Sequence, residues 1–153
     1  MNTAIHRRVA ALNAGLDAAA IARVPSGWVV LADPQVRLGY CLLLPDPVVT
    51  DLNALSAPER QQFLSDMAAV GDVLLTELSA TRVNYAIYGN LEPALHAHIF
   101  PRRQDEPAAV RTAQPWALDW QGAEPFSVDR QAPLLDRLRR AVCAAVPGAR
   151  LPA

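Results

Sequence analysis

Cysteine is scarce in this chain, charge of either sign is sparse, and long apolar runs are missing. Its two cysteines, Cys41 and Cys143, lie far apart in apolar surroundings. That argues against a disulfide and for buried, reduced thiols of a cytoplasmic protein. Neither cysteine has a histidine close in sequence, so a thiol nucleophile has no support. No apolar run approaches the roughly 20 residues of a membrane span. The start, Met1-Asn2-Thr3-Ala4-Ile5-His6-Arg7-Arg8, lacks the apolar core of a secretion signal. A formal charge of −1 and a pI near 6.3 give no electrostatic case for nucleic acid or an acidic membrane. There is no Gly-rich phosphate loop, no Cys-based zinc pattern, no Ser-His-Asp order and no internal repeat. At 153 residues the chain is one domain's worth and can bury a proper core.

Periodicity places the elements. From Asn2 to about Arg23, apolar Ile5, Val9, Leu12, Leu16 and Ala20 recur at spacings of three and four, which predicts an amphipathic helix. Pro25-Ser26-Gly27 breaks it. Trp28–Ala32 and Tyr40–Leu44 are β-type runs around a polar connection and suggest a hairpin. Ser56-Ala57-Pro58-Glu59 matches a capping box opening a helix to about Ser79, with Phe63, Met67, Val70, Leu74 and Leu78 on its buried stripe. Val83–Tyr88 alternates and leads through a short turn at Gly89-Asn90 into the next strand. The stretch from Gln104 to Pro125 is polar but holds Trp116 and Trp120, which predicts an ordered loop. Its tryptophans pack on the core or form a lid that stacks a base. A last helix is predicted over Asp129 to about Ala145, burying Leu134, Leu135, Leu138 and Val142. The sum is a single α+β domain, residues 1–153.

The chemistry concentrates in Gly89-Asn90-Leu91-Glu92-Pro93-Ala94-Leu95-His96-Ala97-His98-Ile99-Phe100-Pro101-Arg102. This stretch carries two of only three histidines. Strand alternation puts His96, His98 and Phe100 on one face and Leu95, Ala97 and Ile99 on the other. An apolar strand rarely carries two titratable rings on one face without partners for them. A pair of half-exposed histidines on a sheet surface is the plain alternative.

The run from Pro93 to Arg102 resembles the signature of the histidine-triad (HIT) superfamily, His-φ-His-φ-His-φ-φ with φ apolar, which often follows a Gly-Asn turn and ends in Pro-Arg. Aligned through Pro101-Arg102, His96 falls on the middle histidine and His98 on the third, while Ala94 stands at the place of the first. The resemblance covers about residues 25 to 107. It implies an antiparallel sheet with the long capped helix packed on it and flanking N- and C-terminal helices.

By that resemblance, His96 is the nucleophile on the α-phosphate of a nucleotide, forming a nucleotidyl-His96 intermediate that water or another acceptor releases. His98 binds the phosphate, as does Asn90, whose turn position after Gly89 is equally ordinary turn chemistry. Asn84, on the opposite face from Tyr85, is a further candidate for the same pocket. Arg102 is a phosphate-binding candidate too, although with Arg103 it also reads as a solvated pair ending a strand. Glu92 is left out, because a carboxylate beside a phosphate repels substrate unless turned away. The implied substrates are nucleoside phosphoramidates, dinucleoside polyphosphates or nucleotidyl-sugar-like compounds. No metal is required for the covalent step, although a polyphosphate arrives with Mg²⁺. The resemblance also implies a homodimer that continues the sheet.

Ala94 offers no side chain to orient the nucleophile, so only backbone carbonyls remain to fix its tautomer. The chain then hydrolyses with a backbone acceptor holding His96, does so slowly, or binds nucleotides without turning them over. A different chemistry is a metal site in which His96 and His98 are joined by Asp105 or Glu106, a set suited to zinc or non-haem iron. The last alternative is an interaction protein with no small-molecule ligand.

Overall fold

A computed structural model describes residues 2–153. Within them the chain runs α1 (Ala4–Asn13), β1 (Ala20–Val24), β2 (Gly27–Leu31), β3 (Cys41–Pro45), α2 (Ala57–Glu77), β4 (Ala80–Ile87), β5 (Ala97–Arg103), α3 (Ala108–Arg111) and α4 (Val128–Ala145). The five strands form one antiparallel sheet in the order β1-β2-β3-β5-β4. The hairpin of β2 and β3 pairs from Gly27 with Pro45 to Leu31 with Cys41. Helix α2 carries the chain from β3 to the far edge of the sheet, and β5 returns to fill the gap between β4 and β3. The predicted α+β class and antiparallel sheet are therefore found.

The N-terminal helix is shorter than the spacing predicts. It stops at Asn13, and the second half of the expected span, Ala20–Val24, is strand β1. Gly15 adopts a left-handed φ of 70°, which ends the helix at low steric cost. Asp17 then fixes the turn by accepting from the Ala19 N–H at 2.9 Å and the Arg8 Nε–H at 2.8 Å. The run Ala18-Ala19-Ala20-Ile21-Ala22 is small and apolar throughout, so it satisfies helical and strand spacing equally. Leu16, read as part of the buried stripe, is 79 % exposed.

Helix α2 begins as the capping box predicts: the Glu59 carboxylate accepts from the Ser56 N–H at 2.9 Å and the Ser56 hydroxyl at 2.6 Å. Its buried face holds Phe63, Val70 and Leu74 as expected, whereas Met67 is only half-buried. The last helix buries Leu135, Leu138 and Val142, and Leu134 lies partly buried at its margin. Both cysteines are free thiols; Cys41 is buried, but Cys143 is only partly covered.

Register gives the sheet two distinct faces. Val29, Leu31, Cys41, Leu43, Ala97 and Ile99 belong to one core cluster with Phe63, Val70 and Leu74 of α2 and Leu135 and Leu138 of α4. On the other face Trp28, Val30 and Leu44 cluster with Ile5, Val9 and Leu12 of α1. Ala32, Tyr40 and Phe100 form a small aromatic core beside them. The histidines open onto this second face, between α1 and the segment that follows β5.

Candidate active site

Strand β5 is paired on both sides, with His98 opposite Leu42 of β3 and Ala86 of β4. Two neighbours hold the His98 ring at defined depth. The Tyr40 hydroxyl lies 2.6 Å from His98 Nδ1, and Phe100 stacks on Tyr40 with ring centroids 4.3 Å apart. Tyr40 is set in turn by the β2–β3 connection. Buried Gln35 donates from Nε2 to the carbonyls of Ala32 and Tyr40, at 2.7 and 2.9 Å, and its Oε1 accepts from the Gly39 N–H. Gly39 has φ 82°, a left-handed backbone that favours glycine whatever the space around it.

His96 lies one residue before β5, at the end of a connection from Tyr88 longer than the predicted turn at Gly89-Asn90. Its Nδ1 is 2.8 Å from the Ala94 carbonyl oxygen. A carbonyl only accepts, so Nδ1 carries the proton, and in the neutral ring Nε2 is left with a free lone pair. The rings of His96 and His98 stand 4.8 Å apart at 70°. Both are buried, at 8 % and 9 % exposure.

The two histidines line a cleft of about 650 Å³. Tyr88, Trp116 and Trp120 give it aromatic walls, and Asn90, Leu91 and Glu92 complete its rim. Trp116 meets the His98 ring edge-on at 5.2 Å and Tyr88 at 5.4 Å, and Trp120 stacks behind it at 5.1 Å. The segment carrying these tryptophans is tied down. Arg37 is buried and pairs with Glu106, and it also donates to the carbonyl of Val110 at 2.7 Å. Trp120 Nε1–H donates to the Pro115 carbonyl. The predicted ordered loop thus contains α3 and a short 3-10 turn at Pro115–Ala117.

Of the residues singled out in the sequence, His96, His98 and Asn90 come together at this cleft. Asn84 and Arg102 do not border it. Asn84 pairs with Phe100 in register, about 6.6 Å along the strand from His98, and its Oδ1 accepts at 2.9 Å from Nη1 of Arg102, whose own position on the strand is about 13 Å from His98. Asp105 and Glu106, the carboxylates considered as metal ligands, are engaged by Arg103 and Arg37. Among the described residues no cluster of three or more His, Cys, Asp or Glu side chains is placed to hold a metal ion. Sequence reasoning missed Tyr40 and Tyr88, and it set Glu92 aside. Glu92 lines the cleft with its carboxylate occupied by backbone N–H groups of Ala94 and Ala4. Burial raises that carboxyl, but hydrogen bonds from the Thr3 side chain and those backbone groups, with nearby His96, bring it below the usual glutamate range.

Burial, and secondarily the charge of His96, pushes His98 down from 6.5 to about 4. A histidine that resists protonation only when folded adds no cost above its unfolded value. Below that value the unfolded chain takes up the proton first, so the cost grows as pH falls from about 6.5 to about 4. The melting temperature is expected to decline across that window, and His98→Gln to lose that part of the decline. A His98 ring signal that titrates near 6.5 by NMR would refute the assignment.

The HIT domain pattern matches residues 27–105, just over half of the chain. The chain belongs to the HIT family. A histidine-triad protein from Marinobacter aquaeolei VT8 superposes with a TM-score of 0.74 at 20% identity, covering 94% of this chain and 98% of that one. One from Bradyrhizobium japonicum gives 0.70 at 22% identity, with coverage of 80% and 89%. A hypothetical histidine triad nucleotide-binding protein from Sulfolobus tokodaii gives 0.69 at 15% identity, with coverage of 89% and 91%. No match is found among the curated proteins. Among the described residues no helix is long and apolar enough to cross a membrane.

Proposed function

We propose that this protein binds a nucleotide in the histidine cleft and cleaves a bond at its α-phosphate through a nucleotidyl-His96 intermediate. The observation that carries this reading is the bond from His96 Nδ1 to the Ala94 carbonyl. It supplies the nucleophile's tautomer from the backbone, with no histidine needed at position 94. His96 Nε2 attacks phosphorus and the P–Nε2 bond forms as the bond to the leaving group breaks, the leaving group taking a proton. Water then attacks the adduct, gives up a proton, and frees Nε2 with release of the nucleoside monophosphate. A phosphate oxygen only accepts hydrogen bonds, so His98 serves it through Nε2–H while the Tyr40 hydroxyl donates to Nδ1. Asn90 is the second phosphate contact, and Trp116 with Tyr88 takes the base.

Charge favours one substrate class over the other. The chain contains no lysine, and among the described residues no arginine lines the cleft, where Glu92 is the charged side chain. A dinucleoside polyphosphate would bring several negative charges into an apolar cleft without a counter-charge. A nucleoside phosphoramidate brings one phosphoryl group and an amine that departs neutral once it has taken its proton, so it adds little charge to a cleft without cations. The covalent step in this scheme uses side chains of this chain alone; Mg²⁺ enters only with a polyphosphate. We further propose a homodimer joined through edge strand β4, which carries the exposed Tyr85 and packs beside α2 with its exposed Leu75. Sedimentation equilibrium is expected to give twice the 16.5 kDa chain mass; a monomer at micromolar concentration refutes the pairing.

The experiment that tests the function is rapid acid-free quench of the protein with adenosine 5′-phosphoramidate, followed by intact-mass and peptide mapping. Turnover with one nucleoside monophosphoryl group on His96 supports the reading. Turnover with no adduct under single-turnover conditions refutes the covalent route.

A further inference from the structure

The cleft explains what His96 does only if something keeps its ring in place, and Ala94 has no side chain for that task. The two peptide units that flank the Ala94 Cα are both held. The Ala94 carbonyl takes the His96 Nδ1–H at 2.8 Å, and the N–H of that same peptide unit, on Leu95, donates to the Val49 carbonyl at 2.9 Å. The Ala94 N–H donates to Glu92 Oε1 at 3.1 Å. The other oxygen of that carboxylate, Oε2, accepts from the Ala4 N–H at 3.0 Å, at the first residue of α1. A carboxylate there also meets the positive end of the helix dipole. Ala94 itself is 3 % exposed and packs in one cluster with Ile5 and Val9 of the same helix.

We propose that Glu92 is a positioning residue: it clamps the N-terminus of α1 to the N–H of Ala94, fixes that residue's backbone, and through its carbonyl sets the tautomer and aim of His96. This rests on His96 being the nucleophile for its catalytic consequence, but the positioning itself is a property of the resting protein. Helix α1 is then part of the active-site architecture, although it contributes no side chain to the cleft. Glu92 binds neither substrate nor reacting atoms in this scheme. Its anionic form matters because each oxygen must accept a backbone N–H, a task for which a glutamine has one oxygen only.

The test compares wild type, Glu92→Gln and Glu92→Ala by ¹⁵N NMR of the imidazoles and by kcat and KM on adenosine 5′-phosphoramidate. Wild type is expected to show His96 protonated at Nδ1. Glu92→Ala is expected to shift part of the population to the Nε2–H form and lower kcat by about 10- to 100-fold, the range for residues that orient a catalytic histidine. KM is expected to stay within about twofold, and Glu92→Gln to recover part of kcat. A Glu92→Ala protein that keeps the wild-type tautomer and kcat overturns the proposal while leaving His96 as nucleophile. Should wild type show no turnover, the functional reading falls, yet the tautomer comparison still decides the positioning role. Melting curves on all three separate a loss of fold, since Gln and Ala remove helix contacts to different degrees while only loss of orientation moves the tautomer.

Discussion

Replacing His96 by alanine is expected to lower kcat/KM on adenosine 5′-phosphoramidate by about 10⁴-fold or more, the scale on which removal of a covalent nucleophile acts. The size follows from what the variant leaves behind. His98 remains neutral at working pH and still offers a hydrogen bond to phosphate, and the aromatic walls still hold the base. Neither can form the bond to phosphorus. Water would have to attack directly, without the imidazole held 2.8 Å from its carbonyl acceptor. Binding should survive, because the lost ring contributes less contact than the surrounding walls. Adenosine monophosphate is therefore expected to raise the melting temperature of the variant nearly as much as that of wild type. Turnover by the variant within tenfold of wild type would remove His96 from the nucleophile's role. A wild type that binds nucleotide but turns nothing over would make the cleft a sensor.

Much of the fold was open to sequence reasoning because its signals are local. The Ser56–Glu59 capping box marks a helix start through side chains three residues apart, and the β2–β3 hairpin is two apolar runs around a polar connection. The split of Asn2–Arg23 into α1 and β1 was hidden for the opposite reason. Alanine-rich sequence fits either spacing, and pairing with β2, a tertiary event, decides between them. Gly15 was the one local signal that a helix should end there. At the site, His96, His98 and Asn90 sit in one short stretch and could be named. Tyr40 could not, since it meets His98 only through the register of β3 against β5, across 58 residues of chain. Glu92 was dismissed on charge alone, because its backbone partners at Ala4 and Ala94 appear only when α1 docks.

The other large effect concerns Trp116, read from sequence either as a core residue or as part of a base-stacking lid. The residue is 48 % exposed, so it is not spent on the core. It stands over the cleft between Tyr88 and His98, with Trp120 stacked against it. Base–aromatic stacking is worth about 1–3 kcal/mol on alanine substitution. Trp116→Ala is accordingly expected to raise KM about 5- to 160-fold. Stacking on a base far from the breaking bond is equal in ground and transition states, so kcat should hold within about threefold. Trp116→Phe should lie between the two. The edge-on contact with His98 at 5.2 Å offers a competing role, in which the indole keeps that imidazole dry and aligned. That role predicts the reverse pattern, a fall in kcat at unchanged KM with the His98 titration moved up toward 6.5. The ratio of the two kinetic effects therefore assigns Trp116 either to the nucleoside or to the phosphate-binding histidine.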